Sequence, residues 1–213
     1  MVAYLIITLF FYDNFLELIK EQSILYAQQK GCNAFTVTPK ELRIIITILL
    51  ANRCAELPRK RLHWYSSADV NSATLSSSMS RNRFDKILQN LYFAENNNLH
   101  QNDKILKLHL FLPIFNEKIY LHYPMEEQLT VDECMAQFYS WHTCKQFIRS
   151  KPIRLGNKIL AVNTRLGYGY LIQYELYEGA GRAPDFSRVG MGGSVTLDLI
   201  CELPANKPFP HLL

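Results

Sequence analysis

The hydrophobic period of this chain changes once, close to Tyr123 and Pro124, and that change points to helices that precede a sheet. Upstream, apolar residues return every three or four positions, which lines one face of an α-helix; downstream they alternate, which lines one face of a strand. With 213 residues, 48% hydrophobic and 20% charged, the chain has material for one large domain or two small ones, and a wholly disordered protein is excluded. The expected class is α+β, with a helical region over residues 1–122, a β-rich region over 123–213, and the boundary inside 116–126.

In the helical part, Asp13 to Gln29 places Phe15, Ile19, Gln22 and Tyr26 on one side with Leu18 and Leu25 beside them, and Gly31 stops the helix. A second helix opens with Thr38 as N-cap, Pro39 in the first helical position and Glu41 in the capping-box position, then runs apolar around most of its girth. Residues 56–78 read as irregular, with a serine-rich loop at their end. A third helix follows, capped by Ser80, with Phe84, Ile87, Leu88, Leu91 and Tyr92 on its apolar face. A fourth is expected between Lys104 and Tyr120, kinked or divided by Pro113.

Beyond the change of period, QLTVDECMAQF, KILAVNTRL and GYLIQYELYEG read as three strands, and SVTLDLICELP as a helix. The first strand carries two adjacent acids, Asp132 and Glu133, in a residue class that disfavours strands. Neighbours on a regular strand face opposite ways, so the pair cannot aim at one ligand. Between the first two strands lies a basic run, Lys145, Arg149, Lys151, Arg154 and Lys158, with Phe147 interleaved, and a second basic group gathers at Arg59, Lys60, Arg61, Trp64, Arg81 and Arg83. Both suit DNA phosphates; the first equally suits a solvated surface, and the second more readily suits a loop that Trp64 and Tyr65 anchor on the bundle, while the net charge of +4 decides nothing.

Other chemistries find little support. Cys32, Cys54, Cys134, Cys144 and Cys201 are odd in number and form no C-x-x-C pair, which argues for reduced thiols and against a disulfide framework or a zinc site. The six histidines show no ligand spacing and read as structural, and the glycines from Gly179 to Gly193 form no dinucleotide fingerprint. The apolar start, MVAYLIITLFFYD, lacks a basic lead and a cleavage site and falls short of a membrane span, so it is expected to pack as a helix or strand.

Taken together, SMSRNRFDKILQNLYFAENN, LTVDECM, KQFIRSKPIRLGNKI, GYLIQYELYEG and GGSVTLDLICELP resemble the piggyBac transposase family, including its transposable element-derived members, over roughly residues 13–213. The resemblance implies a DNA transposase with an RNase H-like core, in which three aspartates hold two divalent metals, usually magnesium, for cleavage and strand transfer. It places Asp132 at the first of those aspartates, assigns dimerisation and DNA binding to the helical part, and implies a nuclear protein.

The family's second aspartate follows a segment resembling KPFPHLL, and the sequence stops at Leu213, so an incomplete mixed sheet is expected: three strands, one helix and the start of a fourth strand. Asp185, Asp198 and Glu202 do not match the missing positions. One carboxylate cannot hold two metals. The expectation is a piggyBac transposase-derived protein without cutting activity of its own and without a cofactor, with Asp132 binding metal only if the other aspartates are supplied. DNA and a second copy of the chain are the expected partners, and neither a membrane nor a small-molecule substrate is. The alternatives are the amino-terminal fragment of an active transposase, or a relic without function.

Overall fold

The computed structural model describes residues 10–54, 60–65, 73–94, 108, 111–122, 128–140, 142–165, 169–178, 190–201, 203 and 211–212. The contacts divide the chain into two units, residues 1–99 and 100–213. The apolar segment before residue 10 and the glycine-rich break over 179–189 lie outside the described residues, among which no helix is long and apolar enough to cross a membrane.

The first unit holds α1 (Asp13–Gln29), α2 (Pro39–Cys54), a 3-10 turn (Lys60–Trp64), α3 (Ala73–Ser78) and α4 (Arg81–Asn90). The cap signals act as the sequence indicates. The Thr38 N–H donates to Glu41 Oε2 at 2.9 Å and the Glu41 N–H to Thr38 Oγ1 at 3.2 Å, a reciprocal box that satisfies two orphan donors. Gly31 turns the chain out of α1 at φ +79°, with its N–H on Gln28 O at 2.9 Å and the Cys32 N–H on Ala27 O at 2.8 Å, a Schellman motif. Ser80 caps α4 by accepting the Arg83 N–H.

Two readings change here. The face that α1 buries is Phe15, Leu16, Ile19, Ser23 and Ala27, whereas Gln22 and Tyr26 are only half-buried. Small side chains set this rotation: Ser23 Oγ takes the Tyr92 N–H at 3.1 Å, and Tyr26 stacks flat on Tyr92 with ring centroids 4.1 Å apart. The serine run forms the short helix α3, whose Ser77 and Ser78 hydroxyls bond back to Thr74 O and Leu75 O. In α2 a single stripe, Leu42, Ile45 and Ile48, is buried, and the residues between are half-buried.

The second unit holds α5 (Phe111–Leu121), β1 (Gln128–Gln137), β2 (Lys145–Phe147), β3 (Leu155–Thr164), β4 (Leu171–Leu176), α6 (Gly190–Cys201) and β5 (His211–Leu212). Pro113 sits in the first turn of α5, where backbone N–H groups have no helical acceptor, so it begins the helix and does not divide it. The division of units falls at 99/100, upstream of the 122/123 read from the sequence, because α5 packs on the sheet. Asn116 exchanges two hydrogen bonds with the Tyr174 backbone, Phe115 meets the Tyr174 ring edge-on, and the Tyr170 hydroxyl donates to Ile119 O.

β3 is the centre of the sheet. β1 pairs along its whole length antiparallel, β4 pairs on its other edge past a register shift at Val162/Asn163, and β2 pairs with Leu155–Asn157. β5 lies parallel to the start of β1, with His211 opposite Gln128 and Leu212 opposite Leu129, so the sheet is mixed. The three long strands, the helix and the beginning of a further parallel strand follow the sequence pattern. β2 does not: it lies inside the basic run, where the Ile148 N–H on Arg154 O at 2.8 Å closes a hairpin that no apolar alternation announces. One face packs Leu129, Leu160, Val162 and Ile172 against Leu199 of α6 and against Leu203.

Candidate functional site

Asp132, which the resemblance places at the first aspartate, lies in the middle of β1. Asp132 stands opposite Ala161 of β3 and Glu133 opposite Leu160, which places their side chains on opposite faces. Each carboxylate has its own lysine: Lys151 Nζ lies 3.3 Å from Asp132 Oδ1, and Lys158 Nζ 2.6 Å from Glu133 Oε1. Lys158 also lies over the Tyr177 ring at 5.0 Å.

Asp132 is turned back on its own strand. Its Oδ1 accepts the Glu133 N–H at 2.7 Å, while Lys151 Nζ donates to the Glu133 carbonyl at 2.6 Å. Alternate residues of an antiparallel strand direct both backbone groups away from the partner strand. At Glu133 those two groups are met by side chains, on the side of β1 that β5 covers only at Gln128 and Leu129. The Glu133 N–H first of all, with the Lys151 ammonium beside it, holds the Asp132 carboxyl below the usual carboxylate range, while burial opposes them. Cys134, two residues along on the Asp132 side, has its thiol pushed up by burial and by the Asp132 charge.

A cleft of about 420 Å³ opens beside these groups, lined by Val131, Asp132, Glu133, Lys151, Lys158, Leu160 and Tyr177, with Val195 and Thr196 from α6. Magnesium demands several oxygen ligands in near-octahedral array. The described residues do not fit a two-metal centre: Oδ1 of Asp132 already accepts two donors, Glu133 is on the other face and paired, and no group of three His, Cys, Asp or Glu is placed to hold a metal among the described residues. Asp198 lies on α6, and Asp185 and Glu202 fall outside the described residues.

The basic run divides in two. Lys145 donates to the Tyr139 and Ser140 carbonyls, Lys151 is tied to Asp132, and Lys158 is only 17% exposed and paired with Glu133. Arg149 and Arg154 are exposed on the β2–β3 hairpin, beside an exposed apolar cross-strand pair, Phe147 and Leu155. In the second basic group, Arg83 bonds Glu41 and the Thr36 carbonyl, Arg61 pairs with Asp85 at 3.0 Å, and the Trp64 indole donates to Met79 O and packs on Phe84; these anchor the first unit. Arg81 is exposed, Arg59 falls outside the described residues, and nothing is described of the Lys60 side chain.

Among the histidines, His63 is buried with neither ring nitrogen partnered among the described residues, and burial disfavours its protonation. His142 accepts the Cys144 backbone N–H, and the buried Cys144 thiol donates to the Glu178 carbonyl at 3.9 Å. Sequence reasoning missed the role of Lys151. Its partner is 19 residues away, and no local pattern marks such a pair.

The family model described as Transposase IS4 matches residues 3–208. Over 203 residues, 95% of this chain, the sequence is 35% identical to human PiggyBac transposable element-derived protein 3 and 30% identical to human PiggyBac transposable element-derived protein 2; each match covers 34% of the relative, so the chain spans about a third of their length. A piggyBac transposase solved as a synaptic complex with hairpin DNA superposes with a TM-score of 0.78 over 99% of this chain and 45% of that one, at 22% identity. Helices followed by a mixed sheet, with Asp132 in the strand that leads it, therefore go with descent as well as fold: the chain belongs to the Transposase IS4 family, in its piggyBac transposase-derived branch.

Proposed function

We propose that residues 1–213 form a DNA-directed, piggyBac-derived protein that contacts DNA phosphates but does not by itself cut or join strands. The observation that carries the binding half is the β2–β3 hairpin, which presents Arg149 and Arg154 to solvent beside the exposed aromatic ring of Phe147. Guanidinium groups suit phosphate oxygens, and an exposed ring offers a base a stacking surface. The related transposase solved with hairpin DNA supports the choice of ligand. Fluorescence anisotropy on a DNA hairpin at a series of salt concentrations tests it. Arg149→Ala with Arg154→Ala should reduce the slope of log affinity against log salt by about 1.8, two phosphate contacts at about 0.9 each. A wild-type affinity insensitive to salt defeats the proposal.

The inactive half rests on the arrangement at Asp132, whose Oδ1 accepts a backbone N–H and an ammonium. In a magnesium-dependent nicking assay on a terminal-repeat duplex, the chain should match its own Asp132→Ala variant. Robust nicking lost in Asp132→Ala contradicts it. A DNA-directed role implies nuclear location and the family implies a homodimer, which imaging of a fluorescent fusion and sedimentation velocity test in turn.

One observation favours the second reading, in which this chain is part of an active transposase. In the parallel register of β5, Leu212 faces Leu129, so a strand continued in that register comes level with Asp132 three residues later. A carboxylate there would stand beside the first.

A further inference from the structure

The mismatch between Asp132 and a metal centre has a specific form. The carboxylate is not merely solitary; it is engaged by a cation that the chain itself supplies. We propose that Lys151 is a tethered cation that occupies the Asp132 carboxylate and, in the same posture, caps the Glu133 backbone on the side of β1 away from β3.

Three observations carry this. First, the ammonium is held between two hard oxygen donors, Asp132 Oδ1 at 3.3 Å and the Glu133 carbonyl at 2.6 Å, the donor types that a divalent ion seeks. Second, the hairpin delivers it. The Ile148 N–H on Arg154 O closes the turn, the Lys151 N–H bonds Ile148 O at 3.4 Å, and Pro152 follows, so the lysine is presented from a short, closed loop. Its side chain is 28% exposed, whereas that of Asp132 is 71% exposed, so the lysine is the more enclosed member of the pair. Third, the arrangement meets both outward backbone groups of Glu133 at once, the N–H through Asp132 and the carbonyl through Lys151. An unmet pair at this position would be a template for an added strand.

Two events therefore compete with the same contact. A metal ion at Asp132 must displace the ammonium or share the carboxylate with it. A strand added alongside β1 beyond Leu129 must take the Glu133 N–H and carbonyl, and in doing so it detaches both side chains. Asp132 becomes more available to a cation when its edge position is taken by something else or Lys151 is removed.

The test measures binding of terbium ions by sensitised luminescence, on the whole chain, with manganese paramagnetic resonance as a second probe. Lys151→Gln keeps a donor for the Glu133 carbonyl and loses the charge, so it separates the electrostatic role from the capping role. It should bind terbium more tightly than wild type by about threefold or more, the effect of removing one close positive charge. The gain should vanish when Asp132→Asn is added. Lys151→Arg should stay at the wild-type affinity, because it retains the charge. A Lys151→Gln affinity within threefold of wild type, or a gain that survives Asp132→Asn, overturns the proposal. Circular dichroism melts on every variant confirm the comparison is between folded proteins; if Lys151→Gln does not fold, Lys151→Met is measured against the same threshold, and failure of both to fold also overturns it, because a removable cation leaves the sheet intact.

Discussion

In a urea titration, Gly156→Ala should lower the stability of the β-rich unit by about 3 kcal/mol or more, at the upper end of overpacking costs. The midpoint should move by about 1–2 M. The reason is backbone and not side-chain crowding. Gly156 lies opposite Gln137 at the end of the β1–β3 ladder, and a Cβ there would sit 2.0 Å from the Ala136 carbonyl oxygen and 2.8 Å from its carbon. Side chains can change rotamer, but a paired strand can only move away, and moving it opens the ladder. Amide hydrogen exchange over Cys134–Gln137 should accelerate in the variant. A midpoint unchanged within error would show that the two backbones are not in this register.

Arg83→Met should cost the helical unit about 2–3 kcal/mol, because it removes charge-assisted bonds and leaves the partly buried Glu41 carboxylate without its cation. Arg83 Nε lies 2.7 Å from Glu41 Oε1, its guanidinium donates to the Thr36 carbonyl at 2.7 Å, and its other face lies 6.0 Å from the Phe35 ring. The pair is 25–30% exposed, so solvent screens part of it. The sign with pH follows from Glu41. The Arg83 guanidinium, aided by Thr38 and opposed by burial, lowers its pKa from 4.5. A carboxyl depressed in the folded state contributes stability above its unfolded pKa and loses it as pH falls through the folded one. The difference between wild type and Arg83→Met should therefore be constant above about pH 5 and shrink below it. A difference independent of pH down to acid unfolding would assign the loss to the Thr36 bond and packing alone.

Legibility in the sequence tracks the distance over which each feature is encoded. The Thr38 and Glu41 box, the Gly31 stop and the Ser80 cap are written within four residues, and the structure places them as read. The three long strands were legible because alternation marks a half-buried sheet. The pairings of Arg83 with Glu41, Arg61 with Asp85 and Lys151 with Asp132 span 42, 24 and 19 residues, and a basic residue looks the same in sequence whether paired or free. That is why the cluster around Arg83 resembled a DNA surface. The buried face of α1 shares Phe15 and Ile19 with the sequence reading but turns toward Ser23 and Ala27, whose small size admits a neighbour that no local pattern announces. Asp132 is singled out only by family resemblance, since composition alone leaves it a possible edge residue.

The setting of Trp64 gives the helical unit an optical signal of its own. Its indole N–H is fixed to Met79 O at 2.8 Å, and its ring lies 5.0 Å from that of Phe84, which is fully buried. Freed from that setting, an indole emits at longer wavelength. Emission from a Trp141→Phe background would then follow the 3-10 turn and α4 coming apart, with no label attached.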